Sequence, residues 1–526
     1  MVENKGADET LSELKLSEIG RVIGETSHVG IYFTAVRPPK VGEYVIIEYP
    51  NGEYVLGIVE LSKIGNPLVS GNTTQVDVIA KAEAFGVGRH DYMIGYARLL
   101  AKLFKLIMKG EVETPKYPPR PAARVFEASD DILRAIFVRK KVDGWVRLGS
   151  LVNHPNVPFY VNVQAMVSRH LAILAITGAG KSNAVAVLVK RIIDELNGTV
   201  LIIDMHSEYG NVASRVNRVR PMVNPADLTL GEYYRILNLD PKASKQRLYL
   251  RRAYSEVKPK SAARKTEQFL DILISKVEEY LQLSERKDKG KKIPSSDRGS
   301  IADLLLKLYD LRDRYGGKVL SPEAPLELTS VIKAGYANIF QLGEVDEEVA
   351  DVITSHYLRR LLDERKRSRA GLGGYPVPVL VVIEEAHILI PKSRSTLTKE
   401  VVARIAREGR KFGIGLCLVS QRPKNIDDNA LSQTNNKIIL KLVEPGDQRY
   451  VQSASETLSD ELLALLPSLN TGEAVVLGLM SPLPALVKID KAERKSGGRD
   501  LPIHKMWLNN KYSSESEEDF YNKIGI

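Results

Sequence analysis

The sequence predicts an α/β protein made of a small N-terminal β-barrel, a core built on a largely parallel sheet, and a helical insertion within that core. Short strand-like runs separated by turn residues occupy the first part of the chain. Continuous apolar runs alternate with helical stretches further on, and residues 225–335 show helical periodicity without a strand run. The predicted limits are 1–15 for a flexible N-terminus, 16–150 for the barrel domain with a helix and a proline-rich linker, 151–224 and 336–480 for the two parts of the core, 225–335 for the insertion, and 481–526 for a C-terminal tail.

A hairpin signal supports the barrel. Residues 44–49 and 54–59 are strand-like and flank the pair Asn51-Gly52, which favours a tight turn. Apolar side chains between Met93 and Ile107 predict a helix over residues 91–109. Residues 114–121 predict a stiff proline-rich linker, and residues 135–148 predict β-structure that returns to the barrel.

Five apolar runs predict strands of the core. They are residues 200–203, 337–342, 377–383, 415–419 and 437–442. Several are apolar throughout rather than alternating, as expected for parallel strands that are covered on both faces. Helical periods at 246–257, 263–284 and 300–314 fill the insertion, and residues 284–292 predict a charged loop.

The composition limits the class of protein. With 526 residues, 44% apolar and 27% charged, the chain is typical of folded soluble proteins. Cys417 is the one cysteine, which excludes a disulfide framework and a multi-cysteine zinc site. A net charge of +10 suits a polyanionic partner such as nucleic acid, with a solvated cationic surface as the alternative. Because no secretory signal and no long apolar run is found, we expect an intracellular, cytoplasmic chain without a membrane span.

Residues 175–182 place glycines, a lysine and a hydroxyl between a predicted strand and a predicted helix, which is the arrangement of a phosphate-binding loop. Lys181 is positioned to neutralise the β- and γ-phosphates of a nucleoside triphosphate, and Ser182 to hold Mg²⁺. The alternative is a tight turn with an incidental lysine. Ala175 stands where the pattern usually has glycine, and alanine fits if its φ is negative. The candidate nucleotide-binding residues are Thr177, Gly178, Ala179, Gly180, Lys181, Ser182 and Asn183.

The apolar run 379–383 ends in Glu384 and Glu385, which is the Walker B arrangement. We expect Glu384 to contact Mg²⁺ through water and Glu385 to polarise the attacking water. The alternative is an acidic helix start, because glutamate is favoured in a first turn.

Two further predicted strands end in polar residues. Asp204, His206 and Glu208 follow the strand at 200–203, and Gln421 follows the strand at 415–419. Since carboxyl ends of parallel strands face the ligand, we expect the first three to lie near the nucleotide and Gln421 to sense the γ-phosphate or the water. The alternatives are a structural histidine and a polar turn residue before Pro423.

A cationic helix is predicted upstream of Gln421, ending at Gly409. Cations collect naturally near a helix C-terminus. The functional interpretation is that Arg407 or Arg410 reaches the γ-phosphate of a neighbouring subunit as an arginine finger, which requires a ring of subunits.

Taken together, the motifs resemble those of the archaeal HerA helicases, in the wider HerA/FtsK class. The order and spacing of the set carry the resemblance, which spans residues from about 145 to 480. The matching segments are 170–173, 176–182, 204–209, 383–387, 404–413 and 420–423. Two positions depart from the family pattern: Glu384 replaces the aspartate of many relatives, and Ala175 replaces glycine.

The resemblance implies a RecA-like P-loop ATPase core behind a HAS-like barrel. It implies a homohexamer that pumps duplex DNA through its central pore by hydrolysing ATP with Mg²⁺, in DNA-end resection and double-strand break repair. It also implies a NurA-type nuclease docked on the barrel face, work alongside the archaeal break-repair nuclease–ATPase complex, and a tail that braces an adjoining subunit.

Three arginines are candidate DNA contacts: Arg215, Arg218 and Arg220. They follow the Asp204 segment, and loops of the core are expected to line the pore. The alternative is an ordinary basic surface loop. We expect contacts to the phosphate backbone without sequence readout.

Two other functions remain open from the sequence. One is a nucleotide-binding ring scaffold that hydrolyses weakly and assembles and regulates a nuclease; Ala175 and Glu384 are its support. The other keeps the motor and changes the cargo, as in a conjugation- or packaging-type DNA pump or a protein-remodelling ring. The missing membrane spans oppose the conjugation version.

Overall fold

Six antiparallel strands close into a barrel at the start of the chain. The computed structural model describes residues 16–69, 75–84, 86–138, 143–258, 269–285, 293–455 and 457–493. The N-terminus 1–15, most of the charged loop 284–292 and the tail after 493 lie outside this range. The barrel has the order β1-β2-β5-β4-β3-β6. Its strands are β1 (Glu18–Ile23), β2 (Gly30–Ala35), β3 (Tyr44–Glu48), β4 (Tyr54–Gly65), β5 (Tyr92–Lys102) and β6 (Arg124–Glu127). The helix α1 (Val76–Ala84) lies between β4 and β5, and the predicted β3–β4 hairpin is confirmed.

The predicted helix over residues 91–109 is wrong for most of its length. Residues 92–102 form β5, and only α2 (Leu103–Lys109) is helical. Apolar residues spaced four apart lie on one side of a helix and also on one side of a strand, so this spacing does not separate the two. Ala97, Leu99 and Ala101 are all buried, and their spacing of two residues is that of a strand. Pairing with β2 and β4 on both sides favours the strand.

The predicted return of residues 135–148 to the barrel is also wrong. Residues 130–137 form α3 (Asp130–Phe137), capped by the Ser129 side chain. Strand β7 (Trp145–Leu151) pairs in the second sheet, with strands before and after it. The core sheet therefore begins at Trp145, inside the predicted barrel domain 16–150.

The second sheet has eleven strands, in the order β11-β12-β10-β13-β14-β9-β15-β16-β17-β7-β8. The pairs from β11 to β15 are parallel and the remainder are antiparallel. The five predicted core strands are confirmed as β10, β12, β13, β14 and β15. Strand β17 belongs to the sheet although it was predicted to lie in the tail 481–526. The strands after β7 are β8 (Pro158–Asn162), β9 (Leu171–Leu174), β10 (Val200–Asp204), β11 (Val216–Val219), β12 (Ala337–Gln341), β13 (Val379–Ile383), β14 (Ile414–Ser420), β15 (Asn436–Ile439), β16 (Glu473–Leu477) and β17 (Ala485–Ile489).

Helices cover both faces of this sheet. Alternate residues of β10 and β13 enter two different apolar clusters, one shared with the insertion and one shared with the helix after β9. The described part of residues 225–335 contains helices and no strand. The helices after α3 are α4 (Val163–Arg169), α5 (Lys181–Leu196), α6 (Leu230–Ile236), α7 (Ser244–Val257), α8 (Phe269–Glu285), α9 (Arg298–Tyr315), α10 (Leu328–Val331), α11 (Glu347–Arg369), α12 (Ala386–Leu389), α13 (Leu397–Phe412), α14 (Asp428–Ser432), α15 (Pro445–Ser453) and α16 (Asp460–Leu465).

The strand order determines which segments can meet. Strand β14 lies between β13 and β9, so the carboxyl ends of these three strands are adjacent. Strand β13 is followed by Glu384 and Glu385, and β14 is followed by Gln421. Strand β9 is followed by residues 175–182, called the glycine loop below. Among the described residues, no helix has the length and apolar character needed to cross a membrane.

Candidate active site

The glycine loop connects β9 to α5, which begins at Lys181. Gly178 and Gly180 have φ of 79° and 107°, conformations that side-chain-bearing residues rarely adopt. Ala175 does not have a positive φ, and its N–H donates to the Ser420 carbonyl at 3.2 Å. Alanine therefore fits the opening position without strain. The loop ends at a helix N-terminus, where free N–H groups favour an anion.

Lys181 meets both Walker B carboxylates although Glu385 is 204 residues away in sequence. Its Nζ lies 3.1 Å from Glu384 Oε1 and also donates to Glu385 Oε1. The side chains of Glu384 and Glu385 are only 1% and 4% exposed. Because isolated buried charges are costly, the three groups stabilise one another as a unit.

The two carboxyl groups differ in protonation. Burial raises the pKa of Glu384 to about 7, even though Lys181 opposes this shift. Burial also acts on Glu385, but the nearby imidazole of His387 and the charge of Lys181 outweigh it and lower the pKa of Glu385 to about 2. Burial disfavours the charged form of Lys181, and the two carboxylates reverse this and raise its pKa. Glu385 and Lys181 are therefore ionised at neutral pH.

Glu385 stands at the start of α12 with φ 46° and ψ 50°, a left-handed conformation that is unfavourable for a non-glycine residue. Its side chain makes no capping hydrogen bond to α12. An acidic helix start alone therefore does not explain the residue, because the carboxylate turns toward Lys181 instead.

Gln421 follows β14 and faces the glycine loop. Thr177 Oγ1 donates to Gln421 Oε1. This contact joins the end of β14 to the loop, as the predicted sensor position requires. The role of Gln421 in hydrolysis stays a prediction.

Asp204 is fully buried and turned into its own loop. Its carboxylate accepts the backbone N–H groups of His206, Glu208 and Tyr209, each at 3.2 Å. Burial raises the pKa of Asp204 against the effect of these hydrogen bonds. The geometry gives Asp204 the task of shaping residues 205–209 rather than facing a ligand. His206 is exposed and Glu208 is half-buried.

Asp204→Asn is expected to lower the free energy of unfolding by about 1–3 kcal/mol, because the amide nitrogen cannot accept an N–H and leaves buried donors unpaired. Chemical denaturation measures the effect. Asp310→Asn is the control: Asp310 is exposed and pairs only on the surface with Arg314, so we expect a change within about 0.5 kcal/mol. Equal effects of the two substitutions would contradict the structural role.

Arg407 and Arg410 are exposed on α13, and no hydrogen bond or ion pair joins either to another described residue. The helix ends at Phe412 with Gly413 as its left-handed cap, so the predicted end at Gly409 is wrong. Gly409 is buried in the last turn, where an added Cβ would come within 2.5 Å of the Ile414 carbonyl oxygen. The two arginines thus face away from the core of their own chain.

The candidate DNA contacts have unequal surroundings. Arg215 donates to the Ile193 carbonyl at 2.6 Å and to Asn197, at the end of α5. Arg218 donates to Gly210 O at 2.9 Å and to Asn211. Arg220 is exposed. The guanidinium groups of Arg215 and Arg218 hold the fold locally, and DNA contact by any of the three stays a prediction.

The site suits a divalent cation whose remaining ligands come from a substrate. Glu384 Oε2 and Glu208 Oε2 are buried carboxylate oxygens without a hydrogen-bond partner. Among the described residues, no group of three or more His, Cys, Asp or Glu side chains could hold a metal by itself. Mg²⁺ commonly uses one or two carboxylates together with phosphate oxygens and water, so the residues fit that ion.

Three residues of the site, His387, Gly472 and Asn183, make contacts that were not predicted. His387 Nδ1 lies 3.2 Å from Glu385 Oε2, and His387 follows Glu385 by two residues, which was the available signal. Gly472 donates its N–H to the Ala179 carbonyl at 2.9 Å, a long-range contact with no local signal. Asn183 donates to the Asp490 carbonyl at 2.8 Å and accepts from the Ala492 N–H, so its side chain holds the segment after β17.

Comparison with known proteins identifies the family. Three family models match: the central domain of helicase HerA over residues 146–361, the helicase HerA-like C-terminal domain over 313–490, and the HAS barrel domain over 19–62. The two HerA models together span residues 146–490, which begins in β7 and ends just after β17, the first and last strands of the core sheet along the chain.

Curated relatives cover nearly the whole chain. The DNA double-strand break repair helicase HerA of Sulfurisphaera tokodaii is 38% identical over 96% of this chain and 99% of the relative. The protein of the same name from Saccharolobus solfataricus is also 38% identical, over the same shares. The probable helicase MJ1565 of Methanocaldococcus jannaschii is 36% identical over 96% of this chain and 95% of its own length.

Solved structures are more distant. VirB4 of Thermoanaerobacter pseudethanolicus is 16% identical with a TM-score of 0.48, covering 66% of this chain and 97% of that one. The plasmid coupling protein TrwB in complex with ADP and Mg²⁺ is 13% identical with a TM-score of 0.48, covering 71% and 94%. With relatives above 30% identity along almost its full length, the chain belongs to the HerA helicase family.

Proposed function

We propose that this helicase-family chain is an ATP-driven motor that translocates duplex DNA during the processing of DNA ends in double-strand break repair. One observation carries the proposal. Lys181, from the glycine loop, lies against Glu384 and Glu385, from the end of a strand that is two positions away in the sheet. A cation for the phosphates beside two carboxylates is the arrangement that triphosphate hydrolysis requires.

The roles follow from the positions. Lys181 neutralises the β- and γ-phosphates while the N–H groups from Thr177 to Asn183 surround them. Ser182, and Glu384 through water, would hold Mg²⁺, which when bound would neutralise charge that builds on the phosphates. Glu385 orients the attacking water and accepts its proton. Gln421, linked to Thr177, contacts the γ-phosphate or the water.

A ring of six subunits completes the proposed site. Arg407 and Arg410 are exposed and unpaired with the other described residues, as residues that act on a neighbouring subunit should be. An arginine supplied in trans stabilises the charge of the transition state.

Subunit mixing should show this directly. Arg407→Ala and Arg410→Ala are each purified, and we expect at least one to lose most of its ATP turnover. Mixed and reassembled with inactive Lys181→Ala subunits, that variant should regain part of the turnover, because some interfaces then combine an intact loop with an intact finger. Arg404→Ala is the control, since Arg404 lies 4.0 Å from Asp363 within its own chain and should not be rescued by mixing. The absence of recovery for both finger variants, with mixed rings present by native mass measurement, would contradict action in trans.

The DNA and protein partners are part of the same proposal. A net charge of +10 and exposed cations such as Arg220 suit contacts to the phosphate backbone of duplex DNA in a central pore.

A NurA-type nuclease would dock on the barrel face, where Tyr32, Ile64 and Tyr92 are exposed. Such apolar side chains suit a protein partner. The archaeal break-repair nuclease–ATPase complex would act on the same DNA ends, in the cytoplasm.

The scaffold alternative is not favoured. Its support was Ala175 and Glu384. Ala175 is compatible with the loop because its φ is not positive, and Glu384 keeps a buried carboxylate at the required place.

The decisive experiment measures ATP hydrolysis with and without linear duplex DNA, beside the native mass of the assembly. We expect hydrolysis that duplex DNA stimulates and a mass of six chains. Stimulation should fall with added salt, because backbone contacts release counterions. A chain that binds ATP and assembles but does not hydrolyse it with DNA present would favour the scaffold.

A further inference from the structure

His387 is a largely buried imidazole beside Glu385, the carboxylate that the proposed function assigns to water activation. Its side chain is 14% exposed, and its Nδ1 lies 3.2 Å from Glu385 Oε2 and 3.1 Å from Ser420 Oγ. Nδ1 is within hydrogen-bond distance of Ser420 Oγ, whereas Glu385 Oε2 is buried without a hydrogen-bond partner among the described residues. The contact with Glu385 is therefore electrostatic, and it is attractive when Nδ1 carries the proton. One nitrogen thus faces both the end of β13 and the end of β14.

Ser420 is itself fixed in place. It is buried, its Oγ accepts the N–H of Arg422 at 3.0 Å, and its carbonyl accepts the N–H of Ala175 at 3.2 Å. The next residue, Gln421, accepts a hydrogen bond from Thr177. His387 therefore rests on a strand end that is tied to the glycine loop.

The backbone of Glu385 makes such support useful. Its φ of 46° lies in the left-handed region, which is unfavourable for a residue with a side chain. The one-turn helix α12 begins immediately afterwards, with the Ile388 N–H donating to the Glu385 carbonyl at 2.8 Å. This turn places Glu385 and His387, two residues apart, within reach of each other.

Lys181 cannot supply the same support during hydrolysis. It donates to both Glu384 and Glu385, but in the proposed function its ammonium group is needed at the phosphates. His387 Nδ1 lies against Ser420 and Glu385, and the proposed function does not require it to leave them for the phosphates. His387 can keep one oxygen of Glu385 fixed and leave the other for the water.

We propose that His387 is a positioning residue, which holds the Glu385 carboxylate in its working orientation from the β14 strand end at Ser420. This inference rests on the proposed function, because it needs Glu385 to activate water. It assigns no proton transfer to His387. A general base contributes about 10²–10⁴-fold, and a group that only orients it should contribute less.

The test combines single variants with a double-mutant cycle. We expect His387→Ala to lower kcat by roughly 10- to 100-fold with little change in the KM for ATP, a smaller loss than the 10²–10⁴-fold of a general base. His387→Asn should restore most of the rate, since its amide N–H stands near the position of Nδ1. In a Glu385→Gln background, His387→Ala should cause less than about a twofold further loss, because residues that act as a unit are not additive.

His154→Ala is the matched control. His154 makes a comparable imidazole–carboxylate pair with Asp130 at 2.8 Å, at the barrel, and its loss should leave kcat unchanged. If His387→Ala does not fold, His387→Asn and His387→Gln give the same information, because only asparagine places its amide at Nδ1.

Three outcomes would overturn the inference: an unchanged kcat in His387→Ala, equal kcat in the Asn and Gln variants, or a full further loss in the Glu385→Gln background. The proposed function fails differently, through a wild-type protein without ATP turnover or a Glu385→Gln variant as fast as wild type.

Discussion

Glu385→Gln is expected to lower ATP turnover by about 10²–10⁴-fold and to leave nucleotide binding close to normal. Glutamine keeps the size of the side chain and can still accept a hydrogen bond from Lys181, but it cannot accept a proton from water. In the resting site, His387 and Lys181 outweigh burial and hold the pKa of Glu385 at about 2. The proposed function places Lys181 at the phosphates, and we expect the loss of this ion pair to make Glu385 a better base.

Steady-state hydrolysis with linear duplex DNA measures the first part of this prediction, and titration with a non-hydrolysable ATP analogue measures the second. Glu195→Gln is the matched control, because Glu195 lies on the same helix as Lys181 but pairs on the surface with Arg191. Turnover within about threefold of wild type would remove Glu385 from the water-activating role. An equal loss of binding and turnover would instead indicate a structural role.

The parallel strands were predictable because their environment leaves a mark on the sequence. Strands such as β13 and β14 are covered on both faces, and every residue in them is buried. A run of apolar residues is then required by packing, independent of the partner strands.

Strands with mixed surroundings were not predictable in the same way. In β5, Gly95 leaves room for the Phe33 ring, whose nearest atom would lie 2.4 Å from an added Cβ. Such a requirement appears only when two distant segments meet. Likewise β7 is held in the core sheet by β17, more than 300 residues later, and nothing local separates it from a barrel strand.

The residues of the site also differ in how far the sequence alone identifies them. The residues of the glycine loop and the Walker B pair are adjacent in sequence and follow apolar strands, so motif and position together identify them. Asp204 also ends an apolar strand, yet its carboxylate binds the N–H groups of its own loop. The position of a polar residue at a strand end predicts proximity to the site, but the direction of its side chain depends on which local donors it can reach.

Lys181→Ala should abolish nucleotide binding and hydrolysis together, and it should also destabilise the protein. The substitution removes the cation that contacts the phosphates in the proposed function, and it leaves Glu384 and Glu385 buried beside each other without a counter-charge. Breaking a buried ion pair from one side costs about 3–5 kcal/mol.

The destabilisation should depend on pH, with a sign that the structure fixes. Burial already raises the pKa of Glu384 to about 7, and removing Lys181 raises it further. A carboxyl group whose pKa is higher in the folded state favours folding at low pH and loses this advantage as pH rises above its unfolded value. The Tm difference between Lys181→Ala and wild type should therefore be smaller at pH 6 than at pH 8, and thermal unfolding at the two pH values measures it.

A second substitution separates the two effects of losing Lys181. Glu384→Gln in the Lys181→Ala background removes the carboxyl group that would ionise beside Glu385 as the pH rises. At pH 8 we therefore expect the Tm to recover in part while nucleotide binding and turnover stay absent. Lys190→Ala is the control: Lys190 lies on the same helix and pairs with Asp194 and Glu493 at the surface, so both stability and turnover should stay near wild type. If the double variant regained turnover together with its Tm, Lys181 would act only by neutralising its two carboxylates. Because Glu384 also belongs to the proposed Mg²⁺ site, nucleotide binding is measured without Mg²⁺. Continued loss of that binding in a restored fold would mean that the ammonium group itself is needed at the phosphates.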